Sequence, residues 1–139
     1  MSQNLYAALA AAQGELQNPP CDRNNSHFGQ PYATLQSVAA TVRPVLAKHG
    51  LSVVMVPQFE RPEKAESTVV YLNVTLGHAS GEALSWTVKW PTEMNIQKAG
   101  AVITYLRRYV LCGIAGVAGE VDDDAEAVVA PTRKAKENR

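Results

Sequence analysis

Cysteine is scarce in this sequence: Cys21 and Cys112 are the only two in 139 residues. They lie far apart, so the chain has no disulfide framework to lean on, and the cytoplasm is the expected setting. No apolar run approaches the ~20 residues that a membrane helix needs. The stretch Met1 to Gln13 has no basic patch ahead of its alanines and does not read as a signal peptide. The three histidines, His27, His49 and His78, show neither H-x-x-x-H spacing nor a C-x-x-C partner, which argues against zinc. There is no glycine-rich phosphate loop of the Walker or dinucleotide type, and no serine or cysteine sits in a nucleophile elbow. Nucleophilic catalysis is therefore unsupported. An excess of either charge is missing too, because 13 Lys and Arg balance 13 Asp and Glu. At face value that zero counts against a grip on nucleic acid or on an acidic membrane.

What is present is globular: 46% hydrophobic and 19% charged residues, in a length that suits one domain. The charge is not evenly spread. Residues 1–119 carry nine bases and seven acids, residues 120–126 carry five acids and no base, and residues 127–139 carry four bases and one acid. The sequence thus divides into a mildly basic core domain, 1–119, and an acidic then basic tail, 120–139, with little core of its own.

Hydrophobic spacing predicts a helix over 3–16, with Leu5, Leu9, Ala12 and Leu16 on one side and Ser2 as its cap. Pro19, Pro20, Gly29 and Pro31 make 17–31 a loop. A second helix is predicted over 32–49, with a stripe of Tyr32, Leu35, Val38, Val42, Val45 and Leu46. Pro44 should kink or shorten it, and Gly50 should end it. Strands follow at 51–57, 67–77 and 83–90, the last two alternating cleanly and joined by a tight turn at 78–82 that Gly81 permits. Short links make the three antiparallel. A long helix over 95–118 closes the series, its packed arc read as Ile96, Ala99, Ile103, Leu106, Val110, Gly113, Ile114 and Val117. The fold class is α+β: N-terminal helices, then a three-stranded antiparallel sheet covered on one face by a long helix. The other face would present Tyr71, Asn73, Thr75, Ser85, Thr87 and Lys89, while Trp86 and Trp90 read as core-facing beside Leu84 and Val88.

The stretch from Gly100 to Tyr109 holds the richest chemistry. On a helical wheel Arg108 falls almost opposite the packed arc, with Thr104, Tyr105 and Cys112 near it, Lys98 and Tyr109 at one side and Arg107 at the other. Bases interleaved with tyrosines supply what single-stranded nucleic acid requires: cations for phosphates and π faces for bases. The plainer alternative is a solvated helix face with tyrosines packed at its rim. The run Asp122, Asp123, Asp124 invites a hard cation, since carboxylates are its ligands. Adjacent carboxylates in a tail are equally a solvated segment, or a competitor with nucleic acid for a basic groove.

Several segments together carry a resemblance. They are Tyr32-Ala33-Thr34-Leu35, Arg43 to Val53, His78-Ala79-Ser80-Gly81-Glu82, Gln97-Lys98-Ala99-Gly100, Thr104 to Tyr109, Leu111-Cys112 and Asp122-Asp123-Asp124. In this order they resemble the ERF family of phage essential-recombination-function proteins, which are single-strand annealing proteins. The resemblance implies an ATP-independent recombinase with no cofactor that binds single-stranded DNA and pairs complementary strands through an annealed duplex intermediate. It implies a homo-oligomer, ring or helical filament, with a phage exonuclease or a host single-strand-binding protein as further partner, in the cytoplasm of a bacterial host. It also implies a β-β-β-α core whose long helix lines a DNA groove, a position that Arg107 and Arg108 match.

The DNA-binding set expected here is Arg108, Arg107, Lys98, Lys89, Tyr105, Tyr109 and Thr104, with no catalytic and no metal-ligating residue. Two departures stand out. Where family members often carry lysines ahead of the Tyr-Ala pair, this chain has Phe28-Gly29-Gln30-Pro31, so no DNA contact is carried over to that loop. Longer members also continue beyond the point where this chain ends at Arg139, which marks it as a short or truncated member. The alternatives are a single-strand-binding module without annealing activity, a metal-dependent nuclease using Asp122–Asp124, and a structural oligomer with no nucleic-acid role.

Overall fold

A computed structural model describes residues 3–24, 30–61, 68–92 and 96–121. The element order is α1 (Gln3–Glu15), β1 (Arg23–Asn24), β2 (Pro31–Tyr32), α2 (Leu35–Lys48), β3 (Leu51–Glu60), β4 (Thr68–His78), β5 (Ala83–Thr92) and α3 (Ile96–Ala115). This is the expected α+β arrangement, with a three-stranded sheet in the order β3-β4-β5 and every neighbour antiparallel. The Ser2 cap and the Asp122–Asp124 run lie outside the described residues. Among the described residues no helix is long and apolar enough to cross a membrane.

Alternation along β4 sorts the sheet into two faces. Val70, Leu72, Val74 and Leu76 are buried to 2% exposure or less and form the centre of the core. Opposite them in register stand Trp90, Val88, Trp86 and Leu84 of β5. Leu5 and Ala12 of α1, Val38, Val42 and Leu46 of α2, and Ala99, Leu106, Leu111, Ile114 and Ala115 of α3 complete this core. All three helices therefore cover one sheet face. The other face carries the expected polar set: Asn73 donates to Gln58 (2.9 Å) and accepts from Thr87 (2.8 Å), and Thr75 bonds Ser85 (2.9 Å). Val54 and Val56 of β3 add apolar surface to that face, each just over half exposed.

Local chemistry explains the boundaries. The amide of Leu5, an unpaired donor in the first turn of α1, bonds the Glu82 carboxylate from the β4–β5 turn at 2.9 Å. Thr34 caps α2, accepting from the Ser37 amide, while Asp22 accepts from both the Thr34 amide (2.8 Å) and its hydroxyl (2.7 Å). Those two bonds hold the Asp22 carboxyl below its ordinary pKa. Tyr32, expected inside the helix, instead belongs to β2, which pairs with β1 in a two-residue ladder. The helix runs past Pro44 to Lys48 without interruption. At its end Lys48 and His49 both meet Glu15 of α1, at 3.1 and 3.0 Å.

α3 ends three residues before its periodicity predicts. Gly116 takes the left-handed region (φ 68°), and the Val117 amide bonds the Cys112 carbonyl at 3.0 Å, a glycine-centred helix stop. The chain then turns back over α3. The Ala118 amide bonds Asn18 (2.9 Å), the Gly119 carbonyl accepts from the Ala33 amide (2.7 Å), and Glu120 bridges to Tyr32. This returning segment ties Glu120 to the core domain.

Candidate nucleic-acid interface

All the expected DNA-binding residues except Lys89 lie on α3, and the structure separates them into distinct environments. Arg108 is the largest departure from the helical wheel. Its side chain is only 13% exposed, because the returning segment 117–121 and the β2 end at Tyr32 and Ala33 close over it. Its Nη1 donates to the Ala33 carbonyl at 3.4 Å and lies 3.2 Å from Glu120 Oε1. Its guanidinium carbon sits 4.8 Å from the Tyr32 ring centre, 4.9 Å from that of Tyr109 and 5.7 Å from that of Tyr105. A planar cation among three electron-rich faces is a favourable electrostatic arrangement that a lysine could not reproduce.

The tyrosines do more than enclose it. The Tyr109 hydroxyl donates to Glu120 Oε1 at 2.7 Å, the same oxygen that Arg108 meets. Burial, then the bond to Glu120, push the Tyr109 phenol well above its ordinary pKa, so it remains a neutral donor. Tyr105 and Tyr109 stack at 4.5 Å and 47°, and Trp90 of β5 meets Tyr105 at 6.2 Å and 57°. Trp90, Tyr105 and Tyr109 thus form an aromatic row from the sheet edge to Arg108, each 43–46% exposed. The tryptophans do face the helix-covered side, beside Leu84 and Val88, but they are not core residues. They stand on an edge strand of the sheet, and Trp86 is 40% exposed as well.

Of the remaining residues, Arg107 and Lys89 lie apart from this row. Arg107 is exposed and sits about 200° round the helix from Tyr105. Lys98 and Thr104 are exposed, and the Thr104 hydroxyl is turned back onto the Gly100 carbonyl at 3.4 Å. Lys89 projects from the opposite face of the sheet, 5.9 Å from the Tyr71 ring centre. Beside Arg108 the returning segment leaves a hollow of about 330 Å³ lined by Arg108, Tyr109, Cys112 and residues 117–121. The Cys112 thiol there is pushed up in pKa by burial and stays protonated. Among the described residues no group of three or more His, Cys, Asp or Glu side chains gathers as a metal site.

Sequence reasoning did not single out Tyr32, Trp90 or Glu120 for the site. Strand alternation in an edge strand was a usable signal for Trp90. Tyr32 and Glu120 reach Arg108 through tertiary contacts that no local pattern encodes.

The model of the ERF superfamily matches residues 5–139. The chain belongs to the ERF superfamily. No curated protein and no solved structure matches it. Membership implies a phage recombination protein of the single-strand annealing type. In this ERF chain the best-built cation site is one arginine held by three tyrosines at the end of an exposed aromatic row. Such a site can orient one phosphate and offer ring faces to adjacent bases.

Proposed function

We propose that this ERF-superfamily chain is an ATP-independent annealing protein that binds single-stranded DNA along a groove of an oligomer and pairs complementary strands. The observation that carries the reading is the juxtaposition of Arg108 with the exposed row Trp90, Tyr105 and Tyr109. Arg108 positions a phosphate, and the rings take bases in stacking worth ~1–3 kcal/mol each. Lys98, exposed on α3, neutralises a phosphate further along the strand, Thr104 lines the groove wall, and Arg107, on the far side of the helix from Tyr105, meets phosphates of a strand held by a neighbouring copy. Lys89, on the far face of the sheet, joins a groove only across an interface between copies. A core domain with nine bases against seven acids is a weak site alone. Side-by-side copies in a ring or filament multiply it.

Annealing breaks no covalent bond, so the protein needs only to hold a strand extended and leave its base edges free. Two measurements test this. Complementary labelled oligonucleotides should pair faster with the protein than without it, in the absence of nucleotide; binding without acceleration would reduce the function to single-strand binding. Affinity should fall as salt rises, log K dropping with a slope of about −0.7 per phosphate neutralised. A salt-independent affinity would refute the phosphate contacts. Electron micrographs with and without single-stranded DNA test the assembly, and a uniformly monomeric protein that still anneals would remove the multi-copy groove.

A further inference from the structure

Arg108 poses a difficulty for any role in binding phosphate, since its guanidinium already faces an anion. Glu120 Oε1 lies 3.2 Å from Arg108 Nη1 and 2.7 Å from the Tyr109 hydroxyl. Two donors from consecutive positions of α3 thus converge on one carboxylate oxygen. That is the geometry in which a phosphodiester oxygen would be held. We infer that Arg108 and Tyr109 form a phosphodiester-binding subsite and that Glu120 is its built-in occupant, displaced when single-stranded DNA binds.

Three observations support the exchange. The Glu120 side chain is 37% exposed, so it can rotate into water without movement of the backbone. The segment that carries it is anchored one residue earlier, by the bond from the Ala33 amide to the Gly119 carbonyl, and a hollow of about 330 Å³ separates that segment from α3. Arg108 has holds other than Glu120, in the Ala33 carbonyl and the faces of Tyr32 and Tyr105. When Glu120 leaves, the guanidinium stays in place and the Tyr109 hydroxyl loses its acceptor. Both donors are then ready for a phosphate oxygen. In the sequence Glu120 also begins an acidic run that continues through Asp122, Asp123, Asp124 and Glu126.

The inference rests on the proposed function, and the test separates the two. Filter binding with radiolabelled oligothymidylate compares the full chain with its Glu120→Gln and Glu120→Asp variants, alone and combined with Arg108→Ala. Glu120→Gln removes the competing charge, and Glu120→Asp keeps the charge but withdraws it by one methylene. Both should bind more tightly than the unaltered chain, Glu120→Gln by about three- to tenfold, the size expected for one partly exposed charge-assisted contact. Neither should gain affinity when Arg108 is alanine. A gain for Glu120→Gln alone, persisting without Arg108, would be a general charge effect and would overturn the subsite. Unchanged or weaker binding by a folded Glu120→Gln would overturn it too, making Glu120 a structural partner of Arg108. If no form binds oligothymidylate at low salt, the proposed function itself fails, and the inference with it.

Discussion

Replacing Arg108 should unfold the protein more readily, a consequence that helical periodicity alone would not foresee. Its contacts set the size of the effect. Three ring contacts at 4.8, 4.9 and 5.7 Å are worth roughly 0.5–1 kcal/mol each. The bond to the Ala33 carbonyl adds about 1 kcal/mol and the half-exposed pair with Glu120 up to about 1 kcal/mol. These terms share one side chain and do not add fully, and removing a desolvated charge returns part of the cost of burying it. Arg108→Ala should therefore cost about 2–3 kcal/mol and, for a chain of this length, lower Tm by roughly 6–15 °C. Arg108→Lys keeps the charge but loses the planar fork, and should recover less than half of that loss. Urea and thermal unfolding followed by circular dichroism, at one fixed protein concentration because any assembly would shift the midpoint, measure both. An Arg108→Ala protein within about 2 °C of the unaltered chain, or a lysine variant equal to arginine, would refute the caged-arginine reasoning. Single-strand binding by Arg108→Ala should accordingly be measured well below its own Tm, so that a lost site is not confused with a lost fold.

Leu72 is fully buried at the centre of β4, so Leu72→Ala should cost about 2–5 kcal/mol in urea unfolding, and a loss under 1 kcal/mol would mean the core is not centred there. Pro44 is exposed inside α2, where it forfeits a backbone bond. Pro44→Ala should raise Tm, by the equivalent of about 1–2 kcal/mol, and a lowered Tm would show that proline's restraint on the unfolded chain outweighs the missing bond. The Asp22 carboxyl has its pKa lowered from 3.8 by the Thr34 amide and hydroxyl. Its contribution is therefore complete above 3.8 and lost as pH falls through the lower folded value, so Asp22→Asn should flatten that part of the acid-unfolding curve; an unchanged curve would remove the Asp22–Thr34 contact from the stability of the α2 start.

Strong periodicity made most of the fold legible. The alternation of Val70, Leu72, Val74 and Leu76 and the turn around Gly81 (φ 95°) place β4 and β5 correctly, and the short links give the antiparallel order. The two-residue ladder of β1 and β2 escaped because two paired residues have no period to detect. On α3 the wheel assumes one packed face. The helix instead packs on α2 and α1 as well as on the sheet, and Leu111 and Ala115 are buried while Gly113 is exposed. The candidate site was legible as a list of residue types and not as an arrangement. Arg107, Lys89 and Arg108 look alike in sequence, and only Arg108 has the returning segment folded over it. That segment depends on the Gly116 stop and on a contact between Tyr32 and Glu120, residues 88 positions apart.

Both tryptophans of the chain stand on one face of one edge strand, and Tyr105 lies 6.2 Å from the ring of Trp90. The near-ultraviolet emission of this protein therefore originates at a single rim, fed by excitation passed from the neighbouring tyrosine. Burial of that rim, by a nucleobase or by a second copy, will change the colour or yield of the emitted light without any attached label. Detachment of α1 or α3 will change it as well, because Trp86 shares a hollow with Leu9 and Ile114 and Trp90 lies against Tyr105. The molecule carries its own optical reporter, placed on the aromatic row proposed to take bases.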